Sequence, residues 1–168
     1  MSLRRAYVGL GGNVGDVAAA LEAACIELGL LAGTRVVACS PLYRTPAWGG
    51  IEQPDFLNAV AALDTALDPP ALLAGLLRIE RAHGRDRDRE TRWGPRTLDL
   101  DLLLHGSGPW HGPGLDVPHP RMAERAFVLV PLLDVAPDVV IPGVGRAADA
   151  LAALGSVDIA RVDAGRVG

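Results

Sequence analysis

Short apolar stretches alternate with longer ones along the first two thirds of the chain. Four of the short stretches are typical of strands, and they cover residues 5–10, 34–43, 56–63 and 98–104. Two longer stretches repeat apolar residues every three to four positions, which predicts helices beginning after Asp16 and after Asp68. Aspartate suits the N-cap of each helix, and the prolines at positions 69 and 70 suit the first turn of the second helix.

The resulting order of elements, βαββαβ, predicts an α+β fold: a ferredoxin-like sandwich with an antiparallel sheet and helices on one face. Residues 105–117 are expected to form a hairpin or an irregular link. A third helix is predicted within residues 119–138 and a short fourth one around residues 147–154, as extra C-terminal helices. We expect residues 1–168 to form a single domain, with a weakly patterned tail from about residue 139.

Composition narrows the class of protein. The chain has no run of 18 apolar residues, so no membrane span is predicted, and its N-terminal apolar stretch is too short for a signal peptide. Cys25 and Cys39 both have apolar neighbours, and we expect two buried thiols in a reducing compartment rather than a disulfide. The predicted location is therefore cytoplasmic.

The basic residues are unusual in kind and in placement. All 16 are arginines, which excludes a Walker A lysine and Schiff-base chemistry, while the net charge of −4 argues against a nucleic-acid partner. Seven of the arginines fall within residues 78–96, which indicates a local site for an anion. The alternating signs of RDRDRE are also typical of a solvated surface loop, so both interpretations stay open.

Asp99 and Asp101 lie two residues apart in a predicted strand whose other residues are almost all leucine. Such side chains share one face, and at a separation of roughly 6 Å the carboxylates repel by about 3 kcal/mol at an effective dielectric constant of ~20. Pairing with arginine, Arg96 in particular, is one explanation. Binding of Mg²⁺ together with phosphate groups is the other, and the arginine cluster directly before the strand favours it.

Other candidate residues are aromatic, histidine or glycine. Phe56 and Asn58 would share a face of the third strand, which suits a flat heterocycle that is stacked on the ring and bound at its edge. His119 lies between two prolines, and a lone histidine is more often structural. The glycines of GLGGNVGD do not match the dinucleotide-binding spacing, which favours a tight turn before the first helix.

Five segments together resemble one known family. GLGGNVGD, SPLYRTPAWG, QPDFLNAV, RWGPRTLDLDLLL and VPHPRMAERAFVLVPL, in this order, are similar to the 6-hydroxymethyl-7,8-dihydropterin pyrophosphokinases of folate biosynthesis, over residues 7–138. The resemblance implies a ferredoxin-like fold, two Mg²⁺ ions and ATP as co-substrate. It implies transfer of a diphosphoryl group from ATP to the pterin hydroxymethyl group with release of AMP. We expect a monomer whose partners are these small molecules.

The same resemblance implies site residues by position. Those for catalysis are Arg85, Arg87, Arg92, Asp99 and Asp101, and the two aspartates also hold the metal. Those for ATP are Glu80, Trp93, Arg96, Leu102, His119 and Arg125. Those for the pterin are Thr45, Pro46, Trp48, Phe56, Asn58, Trp93 and Phe127.

Two positions depart from the family pattern. Gly12 stands where serine is more common, and Trp48 stands where a smaller apolar residue is more common. Two other kinds of protein remain as alternatives at this point: a non-catalytic nucleotide- or pterin-binding module, and a ferredoxin-like RNA-binding protein. The first would have lost an aspartate or the loop arginines, and the second would carry more aromatic residues and a basic net charge.

Overall fold

The structure, a computed structural model, describes residues 2–47, 53–84 and 97–162. Its larger elements are β1 (Arg4–Gly12), α1 (Val17–Leu28), β2 (Thr34–Cys39), β3 (Tyr43–Thr45), β4 (Phe56–Thr65), α2 (Pro69–Ala82), β5 (Asp99–His105) and α3 (Ala126–Val135). The shorter ones are β6 (Trp110–Gly112), β7 (Leu115–Val117), a 3₁₀ turn (Met122–Glu124), β8 (Val140–Ile141), β9 (Gly145–Arg146), α4 (Ala147–Ala153) and β10 (Ala160–Arg161).

One antiparallel sheet of six strands organises the described part of the chain. β1 lies between β4 and β5, and β4 also pairs with β2 and β3, while β10 pairs with β3. On the side away from β1, β4 pairs with two strands in succession: β2 pairs with residues 61–65 and β3 pairs with residues 56–58. The predicted α+β class, the antiparallel sheet and the helices after Asp16, after Asp68, within 119–138 and near 147 are confirmed.

The second predicted strand is two strands in the structure. The break falls at Ser40, Pro41 and Leu42, because proline cannot donate to a strand ladder. Ser40 holds the break onto β4: its backbone N–H donates to the Val60 carbonyl at 2.9 Å, and its Oγ accepts the Val60 N–H at 2.9 Å. The chain can then pass from one half of β4 to the other, which brings β3 to the end where β4 begins.

Helices cover both faces of the sheet. On one face, Val8, Ala61 and Leu102 join a buried cluster with residues of α1 and α2. On the other face, Val60 and Leu103 join a second cluster with residues of α3 and α4. The expectation of helices on one face is therefore wrong. The physical reason is that α3 has only one charged residue, so it needs a sheet face of its own to bury its apolar surface.

The two predicted N-caps are confirmed. The Asp16 carboxylate accepts the Ala19 N–H at 3.2 Å, and the Asp68 carboxylate accepts the Ala71 N–H at 2.9 Å. The first helix, expected to end at Gly33, ends at Leu28. The helix ends where Gly29, a weak helix former, stands at its C-cap. Beyond this end Leu31 packs on Gly75 of α2, where a side-chain carbon on residue 75 would lie only 2.9 Å from it.

The expectation of two separate buried thiols is wrong. Cys25 of α1 and Cys39 of β2 form a disulfide, and the part of the chain that the structure describes has no other cysteine. Cys25 is half-buried and Cys39 is exposed. The pairing follows from the packing of α1 beside β2, which brings together two side chains 14 residues apart in sequence.

A helix that crosses a membrane needs about 20 predominantly apolar residues. No helix in residues 2–47, 53–84 or 97–162 is both long and apolar enough to cross a membrane.

Candidate active site

One face of the sheet carries residues of two predicted half-sites. The ring half-site is the one predicted for the pterin, and the phosphate half-site is the one predicted for metal and phosphate. Asn58, Gly11 and Asp99 lie side by side across β4, β1 and β5. Val60, Gly9 and Asp101 form the next row, in the same order of strands. Because neighbouring strands are about 4.8 Å apart, the backbones that carry the predicted pterin amide and the predicted metal carboxylate are about 10 Å apart, with glycine between them.

Asp99 and Asp101 share one face of β5, as their spacing predicts. Both are half-buried, whereas Leu100 and Leu102 between and after them are 2% and 3% exposed and point into the cluster under α1 and α2. Leu102, predicted to bind ATP, therefore has its side chain on the face opposite the aspartates. A contact of this residue with a nucleotide would have to involve its backbone.

The aspartate pair fits Mg²⁺. Its donors are hard carboxylate oxygens, two on one strand face, which is the number that protein sites for Mg²⁺ with a phosphate ligand commonly supply. Within the residues that the structure describes, no group of three His, Cys, Asp or Glu side chains surrounds a common point. The Thr97 hydroxyl, just before β5, is buried without a hydrogen-bond partner among the described residues, which suits an incoming ligand oxygen.

Glu80 reaches the same strand from α2. Its side chain is 2% exposed, and its carboxylate accepts the backbone N–H of Leu100 at 2.7 Å. Leu100 stands between the two aspartates, so Glu80 fixes the backbone from which both carboxylates project. The resemblance implies contact of Glu80 with ATP; the structure adds this support of β5.

Replacing Glu80 with alanine should lower the free energy of unfolding by about 2–3 kcal/mol. The change removes a buried charged acceptor and leaves the Leu100 N–H without it. Urea denaturation followed by circular dichroism measures the loss. Glu80→Gln keeps an acceptor oxygen at the same place and should lose less than half as much. Equal losses in the two variants would contradict the role given to this hydrogen bond.

His119 and Arg125 lie near the aspartates. The His119 backbone N–H donates to the Leu103 carbonyl of β5 at 2.9 Å, and its Nδ1 accepts the Arg121 N–H at 3.2 Å. Burial, and then the positive charge of Arg125, hold the pKa of His119 below its ordinary value of 6.5, although Asp99 acts in the opposite direction. His119 is therefore neutral at pH 7, and since Nδ1 accepts a hydrogen bond, its proton is on Nε2.

The predicted pterin residues on β3 and β4 come together. Thr45 is paired with Phe56 in the ladder, and the Asn58 amide nitrogen donates to Thr45 Oγ1 at 3.4 Å. Thr45 and Asn58 are 6% and 8% exposed, while Phe56 is half-buried and Pro46 is exposed. The amide is thus held in place, and the Phe56 ring is partly open to solvent.

Phe127 enters the site from α3. It is half-buried in the first turn of this helix, and the Arg125 guanidinium lies over its ring, 5.5 Å from the ring centre. Two turns further on, Asp134 accepts a hydrogen bond from the Tyr43 hydroxyl of β3. This bond joins the helix that carries Phe127 to the strand that carries Thr45.

Sequence reasoning missed Tyr43, and it took Asn13 for a turn residue only. Asn13 is 3% exposed, and its amide donates to Gln53 Oε1 at 2.8 Å and to the Pro54 carbonyl at 2.9 Å. It therefore joins the end of β1 to the segment that leads into Phe56. The even spacing of Tyr43 and Thr45 on one strand was the available signal for Tyr43; the partner of Asn13 is 40 residues away and left no local signal.

The stability of the protein should fall above pH 10 because of Tyr43. Burial, and next the hydrogen bond to Asp134, raise the pKa of Tyr43 from 10.0 to about 12. In that interval the folded state keeps a proton that the unfolded state has lost, so the free energy of unfolding decreases as pH rises from about 10 towards 12. Urea denaturation at about pH 8 and about pH 11 should show a larger decrease for the wild type than for Tyr43→Phe; parallel decreases would contradict this assignment.

Six predicted site residues lie outside the residues that the structure describes. They are Trp48, Arg85, Arg87, Arg92, Trp93 and Arg96.

Comparisons with known proteins point to one family. A family model described as 7,8-dihydro-6-hydroxymethylpterin-pyrophosphokinase (HPPK) matches residues 7–137. Two curated proteins named 2-amino-4-hydroxy-6-hydroxymethyldihydropteridine pyrophosphokinase are similar. The one from Methylorubrum extorquens is 49% identical over 161 residues, 96% of this chain and 100% of that protein. The one from Pseudomonas aeruginosa is 50% identical over 140 residues, 83% of this chain and 85% of that protein.

Solved structures share the fold. The crystal structure of Plasmodium falciparum HPPK-DHPS A437G with STZ-DHP has a TM-score of 0.71 at 14% identity, over 90% of this chain and 45% of that one. This chain thus spans less than half of that longer protein, and at such identity the likeness concerns the fold alone. From the family model and the two relatives, the chain belongs to the 7,8-dihydro-6-hydroxymethylpterin-pyrophosphokinase family.

Proposed function

We propose that this protein transfers the diphosphoryl group of ATP to the hydroxymethyl group of 6-hydroxymethyl-7,8-dihydropterin and releases AMP, a step of folate biosynthesis. The names of its relatives support a pyrophosphokinase that acts on this pterin. The observation that carries the proposal is the row Asn58, Gly11 and Asp99. This row supports the proposal because the residue proposed for the edge of the ring and a residue proposed for metal lie on one sheet face, on either side of Gly11.

The ring half-site is built from β3, β4 and α3. Phe56 and Phe127 are proposed to stack on the two sides of the pterin, and the Asn58 amide to bind its edge. Thr45 supports that amide, and Pro46 and Trp48 are proposed to line the same pocket. The Tyr43–Asp134 hydrogen bond supports this arrangement because it ties α3 to β3.

The phosphate half-site is built around β5. Asp99 and Asp101 are proposed to hold two Mg²⁺ ions, which when bound would neutralise the phosphate chain and polarise the phosphorus–oxygen bond that breaks. His119, neutral with its proton on Nε2, offers a hydrogen-bond donor, and Arg125 offers a positive charge on the same side. From the family resemblance we add Glu80, Arg96, Trp93 and the backbone of Leu102 as further nucleotide contacts.

The reaction itself is a displacement at phosphorus. The pterin hydroxyl oxygen forms a bond to the β-phosphorus of ATP, the bond from that phosphorus to the oxygen bridging to AMP breaks, and the hydroxyl proton leaves to solvent. Positioning and charge neutralisation are the main means of catalysis for such transfers. Arg85, Arg87 and Arg92 are proposed to close over the phosphates and to exclude water, which competes with the pterin as acceptor.

The test of this function is a reaction with purified protein, Mg²⁺, ATP and 6-hydroxymethyl-7,8-dihydropterin, followed by ³¹P NMR and chromatography of nucleotides. We expect AMP and the pterin diphosphate in equal amounts. Formation of ADP would indicate an ordinary kinase. Binding of both ligands without AMP would instead support the non-catalytic binding module.

Four finer points stay predictions. We propose that the core is ferredoxin-like, which the neighbour order β5, β1, β4, β2 supports. We also propose that the chain acts as a single domain, as a monomer and in the cytoplasm.

A further inference from the structure

Gly11 occupies the place between the two half-sites. It is paired with Asn58 on one side and with Asp99 on the other. A methyl group on this residue would lie 2.5 Å from Asn58 Oδ1, closer than side-chain carbons approach other atoms in proteins. The next nearest atom of a neighbouring strand, the Leu57 carbonyl oxygen, would be 3.4 Å away, which is an ordinary contact. The space that glycine leaves is thus filled by the Asn58 amide.

The Asn58 amide is held between Gly11 and Thr45. On the side away from Gly11 it already donates to Thr45 Oγ1 at 3.4 Å. A methyl group on residue 11 would therefore turn the amide out of its position. The conclusion does not depend on which amide atom is oxygen and which is nitrogen, because either of them would meet the methyl group.

We propose that Gly11 is a positioning residue for Asn58, and that the absence of a side chain at position 11 sets the orientation in which the amide meets the edge of a flat heterocycle. This inference rests on the proposed function, since it takes the pterin as that heterocycle. It gives GLGGNVGD a role that neither a phosphate cradle nor a turn explains, because Gly11 lies inside β1. Gly11 acts by leaving space for the Asn58 amide, and it does not have to contact the substrate itself.

Gly9 provides a matched control on the same strand and the same face. The three atoms nearest to a methyl group there all belong to the Leu103 side chain, and the nearest is 3.6 Å away, which is ordinary contact. Neither Gly9 nor Gly11 has a positive φ, so alanine is allowed by the backbone at both positions. Alanine is also preferred to glycine inside a strand, so Gly9→Ala should not lower the melting temperature. In Gly11→Ala the same preference offsets the loss of the 3.4 Å hydrogen bond from Asn58 to Thr45.

The experiment measures the dissociation constant of 6-hydroxymethyl-7,8-dihydropterin by calorimetry in the presence of a non-hydrolysable ATP analogue and Mg²⁺. Gly11→Ala should weaken pterin binding by about 10- to 100-fold, the effect of losing a buried polar contact, while Gly9→Ala stays within about twofold of the wild type. The affinity for the ATP analogue and the melting temperature should be unchanged in both variants. A loss of pterin affinity without a change in these two quantities separates a positioning role from a general loss of structure.

A second pair of variants tests whether Gly11 acts through Asn58. In an Asn58→Ala background the amide is absent, so Gly11→Ala should add less than about a twofold further loss of pterin affinity. Additive losses, or full pterin affinity in Gly11→Ala alone, would overturn the inference and leave the proposed function in place. Absence of pterin binding in the wild type and in Gly9→Ala would overturn the proposed function and this inference with it.

Discussion

Asp101→Ala should reduce turnover by about 10³-fold or more. Asp101 is one of two half-buried carboxylates on the same face of β5, and a lone Asp99 would not hold the two Mg²⁺ ions that we propose for the phosphate chain. A metal that polarises a phosphoryl oxygen contributes several kcal/mol to the stabilisation of a transition state, and each 1.4 kcal/mol corresponds to about a factor of ten in rate. Binding of Mg-ATP should weaken as well, by about tenfold, since part of the same charge neutralisation exists in the ground state.

The measurements are the rate of AMP release at saturating substrates and the dissociation constant of Mg-ATP by calorimetry. The matched control is Asp138→Ala, because the Asp138 side chain is 93% exposed and only a 3.6 Å ion pair with Arg146 would be lost. That variant should keep wild-type turnover, and circular dichroism should show both variants folded. Near-normal activity of Asp101→Ala would refute the assignment of the aspartate pair to metal.

The strands and helices of the core were predictable because their signals are local. The N-cap aspartates at positions 16 and 68 precede apolar residues at helical spacing, and the alternation of Asp99, Leu100, Asp101 and Leu102 fixes which side chains share a face. The face covered by α3 was not predictable in this way. Its residues are apolar on nearly every side, so periodicity does not say which surface the helix buries.

The site was predictable where residue type alone indicates chemistry, and less so where its support comes from distant parts of the chain. The like charges of the aspartate pair predict a metal site, which is part of the proposed function. In contrast, the support of β5 by Glu80 joins residues 20 positions apart, and the bond from Tyr43 to Asp134 joins residues 91 positions apart. The Cys25–Cys39 disulfide was missed for the same reason, since only the packing of α1 on β2 brings the two side chains together.

Phe56→Ala should weaken pterin binding by about 10- to 100-fold and leave binding of Mg-ATP within about twofold of the wild type. Stacking of a flat heterocycle on an aromatic side chain contributes about 1–3 kcal/mol, and alanine removes it. Phe56 begins β4, beside Thr45, whereas the carboxylates that we propose for metal lie on β5, with β1 between the two strands. Binding of the pterin should therefore weaken, while binding of Mg-ATP should not.

Two control variants separate stacking from general packing. Phe56→Tyr keeps the ring and should bind the pterin within about threefold of the wild type. Leu57→Ala changes the adjacent residue, whose side chain packs against the cluster under α1 and α2 on the opposite face. It should lower the free energy of unfolding, by about 1–2 kcal/mol for a partly buried leucine, with little change in pterin affinity. If Phe56→Ala left the pterin dissociation constant unchanged, or if Leu57→Ala weakened pterin binding as strongly, the ring of Phe56 would not be the surface on which the pterin stacks.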